Sequence, residues 1–157
     1  MKKVVLGIGN ILLRDEGIGC HVARALESRF NGALFDVRVI EGGTCLDVLP
    51  LLEGADKLVI VDAVKSGGEP GQIYRFPIED ITLEQKPFLS LHDMTLVNSL
   101  ILMQIWRNAG ETVVIGVEPK EIDWGLELSA ELREKMPQII DVVLSEINTS
   151  PKGELRC

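Results

Sequence analysis

The run Leu58-Val59-Ile60-Val61 constrains the fold more tightly than any other stretch of the chain, because it is apolar, mostly β-branched and has no polar side. A strand of that kind must be covered on both faces, the situation of an interior strand in a parallel α/β sheet. It is therefore expected to be the central strand, ending at Asp62. With 157 residues, 46% of them hydrophobic, the chain can fill one core well and two only poorly. A single domain over residues 1–150 is expected, followed by a loose tail at 151–157.

The neighbouring stretches supply the rest of such a sheet. Lys3 to Gly9 is a short apolar run closing on Gly-Ile-Gly-Asn, as for an interior strand entering a tight turn. Gly17 to Phe30 changes to helical spacing, with Ile18, Val22, Ala25, Leu26 and Arg29 near one face and Arg24, Glu27 and Ser28 mainly outside it. Leu34 to Ile40 alternates, Val37 and Val39 against Asp36 and Arg38, and reads as a strand nearer an edge before Glu41-Gly42-Gly43-Thr44 turns the chain. Thr44 can cap a helix from Cys45 to Glu53 that Pro50 should kink or shorten. A glycine-rich turn from Lys65 to Gly71 precedes a short returning strand, Gln72 to Phe76, expected to run antiparallel. Ser90 to Asp93 offers caps for a greasy helix from Met94 to Asn108, ended by Gly110. Thr112 to Val117 is another buried strand, and Ser129 to Asn148 an amphipathic helix with Pro137 inside it. Strands alternating with helices imply an α/β fold, a three-layer αβα arrangement around a doubly wound, mostly parallel sheet with a short antiparallel edge strand.

Several function classes are disfavoured at once. With 16 Lys plus Arg against 24 Asp plus Glu, the net charge of −8 opposes phosphate neutralisation, so nucleic acid is not an expected partner. Asn10 and Arg14-Asp15-Glu16 interrupt the opening apolar run too early for a secretory signal, and charged or polar residues break every later run short of a membrane span. A cytoplasmic protein is expected. Cys20, Cys45 and Cys157 lack any Cys-x-x-Cys spacing, which argues against a disulfide framework or a structural zinc site. Gly7-x-Gly9 has Leu12 where a dinucleotide cradle needs its third glycine, so a nucleotide-dependent oxidoreductase is a poor fit. Covalent catalysis is disfavoured too: there is no Gly-x-Ser-x-Gly elbow and nothing that activates Cys45. Cys20 and His21 point about 100° apart as consecutive helix positions and read as ordinary helix residues.

Open α/β sheets place ligands beyond the carboxyl ends of their strands, where strand order reverses. Glu16 follows the first strand and Asp62 ends the third. A strand order beginning 2-1-3 would bring both carboxylates to one edge, and His92, opening a helix on the same side, can supply a third donor. One nitrogen and two carboxylates with open positions suit a divalent transition metal such as nickel or zinc and suit calcium poorly. Each residue alone has a plainer reading. Asp15 and Glu16 can place negative charge at a helix N-terminus, Asp62 can cap a loop, and His92 can be a structural imidazole near a helix start. Together the three are expected to form a metal site.

Taken in order, Gly7-x-Gly9-Asn10-x-Leu12-x-x-Asp15-Glu16-Gly17-x-Gly19, then Gly42-Gly43-Thr44, Asp62-Ala63, Ser90-x-His92 and Gly116-x-x-Pro119 resemble the maturation endopeptidases of nickel-iron hydrogenases. The resemblance covers about positions 3 to 148. It implies a hydrolase that removes a C-terminal extension from the hydrogenase large-subunit precursor after nickel insertion, with Glu16, Asp62 and His92 as metal ligands and Asp62 and Glu16 as catalytic candidates. Nickel is then expected to arrive with the nickel-loaded precursor, other divalent transition metals being able to substitute, and the protein to act as a monomer. Glu41 stands before Gly-Gly-Thr where many members carry aspartate, keeping a carboxylate one methylene farther out. Two mechanisms stay open: metal-assisted attack of water, and an aspartic-type pair sharing a proton. The histidine has a task only in the first. A non-hydrolytic nickel-dependent chaperone for the same precursor is the alternative function.

Overall fold

The computed structural model describes residues 1–30, 36–80, 105 and 109–150. Its elements are β1 (Lys3–Ile8), α1 (Ile18–Phe30), β2 (Val37–Gly43), β3 (Lys57–Ala63), β4 (Ile73–Pro77), β5 (Glu111–Val117) and α2 (Ala130–Asn148), with 3-10 turns at Arg14–Gly17, Leu46–Leu52 and Ile78–Asp80. The five strands form one sheet in the order β2-β1-β3-β5-β4. β1, β2, β3 and β5 run parallel, and β4 pairs antiparallel with β5 at the edge. The mostly parallel αβα architecture, the 2-1-3 beginning and the antiparallel edge strand agree with the sequence reading.

β3 shows why the apolar run dictates this arrangement. Leu58 and Ile60 join Val4, Leu6, Ile8 and Val114 in one core layer, completed by Val48, Leu52, Ile78 and Ile105. Val59 and Val61 enter the other layer with Val5, Val113 and Ile115, beneath Ile18, Val22 and Leu26 of α1 and Leu132, Ile139, Val143 and Ile147 of α2. All seven residues of β3 are buried. At about 1.5–3 kcal/mol for each fully buried branched side chain, a polar residue at any of these positions would forfeit a large part of the net stability.

Differences from the sequence reading have local causes. Arg29 is exposed, and Cys20 and Ala23 are buried in its place, because α1 lies across the sheet at a face rotated from the one the periodicity suggested. β2 continues through Glu41-Gly42-Gly43, with Glu41 opposite Gly7 of β1, so the turn starts at Thr44 and not at Glu41. The segment Leu46–Leu52 is a 3-10 helix whose cap position is Cys45 and which has no side-chain cap bond, so Thr44 does not cap it. Pro50 has no N–H for an α-helical bond and its ring collides with the carbonyl four residues back. α2 starts where expected, with Ser129 as its N-cap, and runs unbroken through Pro137. Of the expected helix from Met94 to Asn108, the described residue Ile105 is helical and buried, and its carbonyl accepts the Ala109 N–H at 3.0 Å. Leu34, His92 and the tail 151–157 lie outside the described residues.

The end of the sheet opposite the strands' carboxyl termini is held by charge. Lys57 is fully buried at the start of β3, its Nζ donating to Glu146 Oε1 at 3.1 Å and Thr149 Oγ1 at 2.9 Å, with Glu111 Oε2 at 3.4 Å. Arg75 closes on the same Glu146 carboxylate with bonds of 2.7 and 3.0 Å. These hydrogen bonds lower the Glu146 pKa, the Arg75 contribution being the largest.

Candidate active site

The carboxyl ends of β1 and β3 meet a turn built by close backbone approach. A Cβ placed on Gly7 would lie 2.0 Å from the Gly19 carbonyl oxygen, and one on Gly19 would lie 2.1 Å from the Val61 oxygen and 2.4 Å from the Ile8 oxygen. Only residues without a side chain let α1 start this close to β1 and β3. The Gly7-x-Gly9 pair therefore serves helix-to-strand contact. The 3-10 turn ahead of α1 carries the buried acids Asp15 and Glu16, which repel a phosphate from the place where a dinucleotide would sit.

Glu16 and Asp62 are brought to one place by Gly9. This glycine has φ of 128°, and a Cβ on it would lie 2.0 Å from the Glu16 carbonyl oxygen and 3.6 Å from Asp62 Oδ1. The Glu16 backbone and the Asp62 carboxylate thus border the same point at the switch between β1 and β3. Asp62 is fully buried, and its Oδ1 accepts the Ala63 N–H at 2.8 Å. Glu16 is 6% exposed. Burial raises its carboxyl pKa, because the charged form loses water, while the Asn10 backbone amide and the charge of Lys65 pull it back. Asn10 also holds the turn, its Oδ1 accepting the Leu12 N–H at 2.9 Å. Among the described residues no three His, Cys, Asp or Glu stand close enough together to hold a metal. His92, the third expected donor, lies outside them.

Asp15 has a role that its sequence neighbour does not share. Its two oxygens accept the N–H groups of Lys120 at 2.9 Å, Glu121 at 2.8 Å and Ser129 at 2.7 Å, and the Ser129 hydroxyl at 2.7 Å. The turn bearing Glu16 is thereby fixed to the loop before α2. Glu118 does similar work on the next loop, accepting from Ser66 N–H, Gly68 N–H and the Tyr74 hydroxyl. The sequence offered no local signal for either role, since every donor is far away in the chain. Lys65 was also missed: it follows β3 and its charge reaches Glu16. Its position three residues past Asp62 was the available clue.

Cys20 and His21 occupy consecutive positions of α1, the first buried and the second partly buried. The Cys20 thiol is buried 3.6 Å from the Gly9 oxygen, and burial pushes its pKa up to about 11, leaving it protonated and unreactive. Burial, with Arg24 nearby, lowers the His21 pKa. Glu41 pairs with Arg24 at 2.7 Å on the edge of the sheet.

A five-stranded, mostly parallel sheet with buried carboxylates beyond the ends of β1 and β3 defines an α/β protein of the open-sheet class, in which ligands bind at such a switch point. The family model for the hydrogenase maturation protease HycI matches residues 20–146. The chain is 30% identical over 156 residues to a putative hydrogenase maturation protease of Methanocaldococcus jannaschii, spanning 94% of this chain and 99% of that one. It is also 30% identical over 156 residues to the hydrogenase 2 maturation protease of Escherichia coli, spanning 96% of this chain and 93% of that one. The structure of the hydrogenase maturating endopeptidase HybD from Escherichia coli superposes with a TM-score of 0.72 at 26% identity, covering 92% of this chain and 91% of that one. The chain belongs to the hydrogenase maturation protease family. Among its described residues, no helix is long and apolar enough to cross a membrane.

Proposed function

We propose that the protein is the endopeptidase that removes the C-terminal extension of a nickel-iron hydrogenase large-subunit precursor once nickel has been inserted, the metal being part of the substrate and the mark by which a finished precursor is recognised. The observation that carries this reading is the meeting of the Asp62 carboxylate and the Glu16 backbone around Gly9, with both acidic residues buried beyond the ends of β1 and β3. Buried carboxylates carried on one turn and one strand end favour a nearby cation, so the donor chemistry fits a divalent metal presented by the precursor. Glu16, Asp62 and His92 would hold it. When bound, nickel supplies a Lewis acid that polarises a carbonyl or a water.

The chain's own groups do the rest. Ala63 N–H on Oδ1 fixes the Asp62 side chain at the end of a rigid strand. The Asn10 amide does the same for Glu16. Either carboxylate can take the proton of the attacking water and return it to the leaving amine. Anchoring by Asp15 keeps the Glu16 turn in register, and a bound precursor then presents its scissile bond in one orientation. The protein is proposed to act as a monomer in the cytoplasm.

The test incubates the purified protein with nickel-loaded and nickel-free precursor and follows the mobility shift of the large subunit. Peptide release from the loaded precursor alone is expected, with Asp62→Asn and His92→Ala folded but inactive. Normal processing by either variant would refute these roles. Tight binding without any released peptide would favour the chaperone reading.

A further inference from the structure

Among the described residues, six large hydrophobic side chains are exposed, and four of them share two loops: Leu12 at 48%, Ile122 at 39%, Trp124 at 77% and Leu126 at 63%. A tryptophan so open to solvent is unusual for a surface that only meets water, and clustered exposed apolar residues mark interaction sites. The two loops form one platform. Gly125 N–H donates to the Leu12 oxygen at 2.9 Å, Arg14 N–H to the Gly125 oxygen at 3.0 Å and Asp15 N–H to the Glu121 oxygen at 3.0 Å. The Arg14 side chain, paired with Glu121 and bonded to the Glu127 carbonyl, locks it further.

The platform is continuous with the candidate active site. Asn10, whose side chain holds the Leu12 N–H, gives its own amide to Glu16, and Glu16 N–H donates to the Leu13 oxygen at 3.2 Å. Leu12 and the 121–127 loop are therefore joined to the turn that carries Glu16. The charge there has one sign. Arg14 is taken by Glu121 and Lys120 by Glu131, while Asp123 and Glu127 are exposed and form no ion pair among the described residues.

We infer that the loop platform of Leu12, Ile122, Trp124 and Leu126 is the docking surface for the segment of the precursor next to the scissile bond, a segment carrying large apolar side chains among basic ones. This rests on the peptidase reading of the neighbouring site. Docking there adds affinity and register without touching the reacting atoms, so its loss should appear in KM and not in kcat.

The test compares the affinity of nickel-loaded precursor for the Asp62→Asn protein and for the same protein carrying Trp124→Ser and Leu126→Ser, alongside KM and kcat of Trp124→Ser alone. A loss of affinity of at least about thirtyfold is expected, the scale of an interface hot spot. KM should rise with kcat held and the thermal midpoint unchanged, Trp124→Phe should restore most of the loss, and Asp123→Lys should weaken docking less in high salt. Equal affinity of the two proteins would overturn the inference. So would a dimer that Trp124→Ser dissociates while KM stays fixed, since the platform would then serve self-association. If the wild-type protein releases no peptide from loaded precursor, the peptidase reading fails, and the affinity comparison still decides the docking surface.

Discussion

Replacing Asp15 by alanine should remove about 4 kcal/mol of stability and displace Glu16, although Asp15 itself is not assigned to the chemistry. The magnitude follows from its four donors. The Ser129 N–H and hydroxyl are buried with it, and hydrogen bonds to a charged acceptor contribute about 1.5–3 kcal/mol each, so these two alone account for roughly 3–6 kcal/mol. The Lys120 and Glu121 amides are only part-buried, and water entering the loop can replace the lost acceptor there, so they add little. Ser129 is also the N-cap of α2, its Oγ accepting from Leu132 N–H, so its orientation suffers as well. In urea, with a slope of about 2 kcal/mol per molar, the midpoint should fall by about 2 M. Asp15→Asn, which keeps one accepting oxygen and sets an NH2 against a backbone N–H, should fall about half as far. Processing by the folded fraction should drop in kcat, because the Glu16 turn loses its anchor. An Asp15→Ala protein within about 1 kcal/mol of the wild type would refute the argument, as it would mean these donors find water at no cost.

Gly19→Ala should prevent stable folding or lower the thermal midpoint by well over 10 °C, read by circular dichroism, because the added Cβ meets backbone atoms of Val61 and Ile8 that cannot rotate away. Glu146 has a lowered folded pKa, so its contribution is present above its unfolded value of 4.5 and is lost as pH falls through the lower folded value; Glu146→Gln should flatten the acid limb of stability against pH in urea titrations. Glu16 has the opposite sign. Its raised folded pKa means the metal-free protein is penalised for its charge above pH 4.5, so Glu16→Gln should be more stable than the wild type at pH 7, equally stable near pH 4, and inactive in processing.

The central strand and the reversed edge strand were legible because each has a sequence signal shorter than a dozen residues, an apolar run and a glycine-rich turn, whereas the strand order entered only as the condition that it begin 2-1-3. What was not legible needed partners distant in the chain. Asp15 finds its donors more than a hundred residues away, and Glu118 gathers amides from the 66–68 turn, so neither carboxylate looks special where it stands. The expected helix from Cys45 to Glu53, kinked or shortened by Pro50, is a 3-10 helix over Leu46–Leu52, because Pro50 permits a tighter turn that residue composition does not distinguish from a shortened helix. Arg29 was placed on the buried face because its position fits the helical period, whereas the close approach of Gly19 to β1 and β3 rotates α1 toward Cys20 and Ala23. The candidate site was legible only in part: strand ends located Glu16 and Asp62, but the anchor at Asp15 and the charge of Lys65 came from the fold.

Asp15 and Glu16 are adjacent, acidic and both buried, yet their surroundings differ. Asp15 is surrounded by donors supplied by the chain itself, so its charge is satisfied before any substrate arrives and its removal harms the fold. Glu16 receives the Asn10 amide and the distant charge of Lys65, which do not offset its loss of water, so its charge remains a liability that a cation or a proton can relieve. A buried carboxylate kept at such a cost implies a selective reason other than stability. The same distinction separates the two ends of the sheet. At the far end, Glu146 is matched by Lys57 and Arg75, whereas at the strands' carboxyl ends the Glu16 charge is left for a partner to neutralise. A cationic centre delivered by a protein substrate would therefore be held most strongly where the free protein is least at ease, and release of the product would follow once that centre withdraws from the crevice.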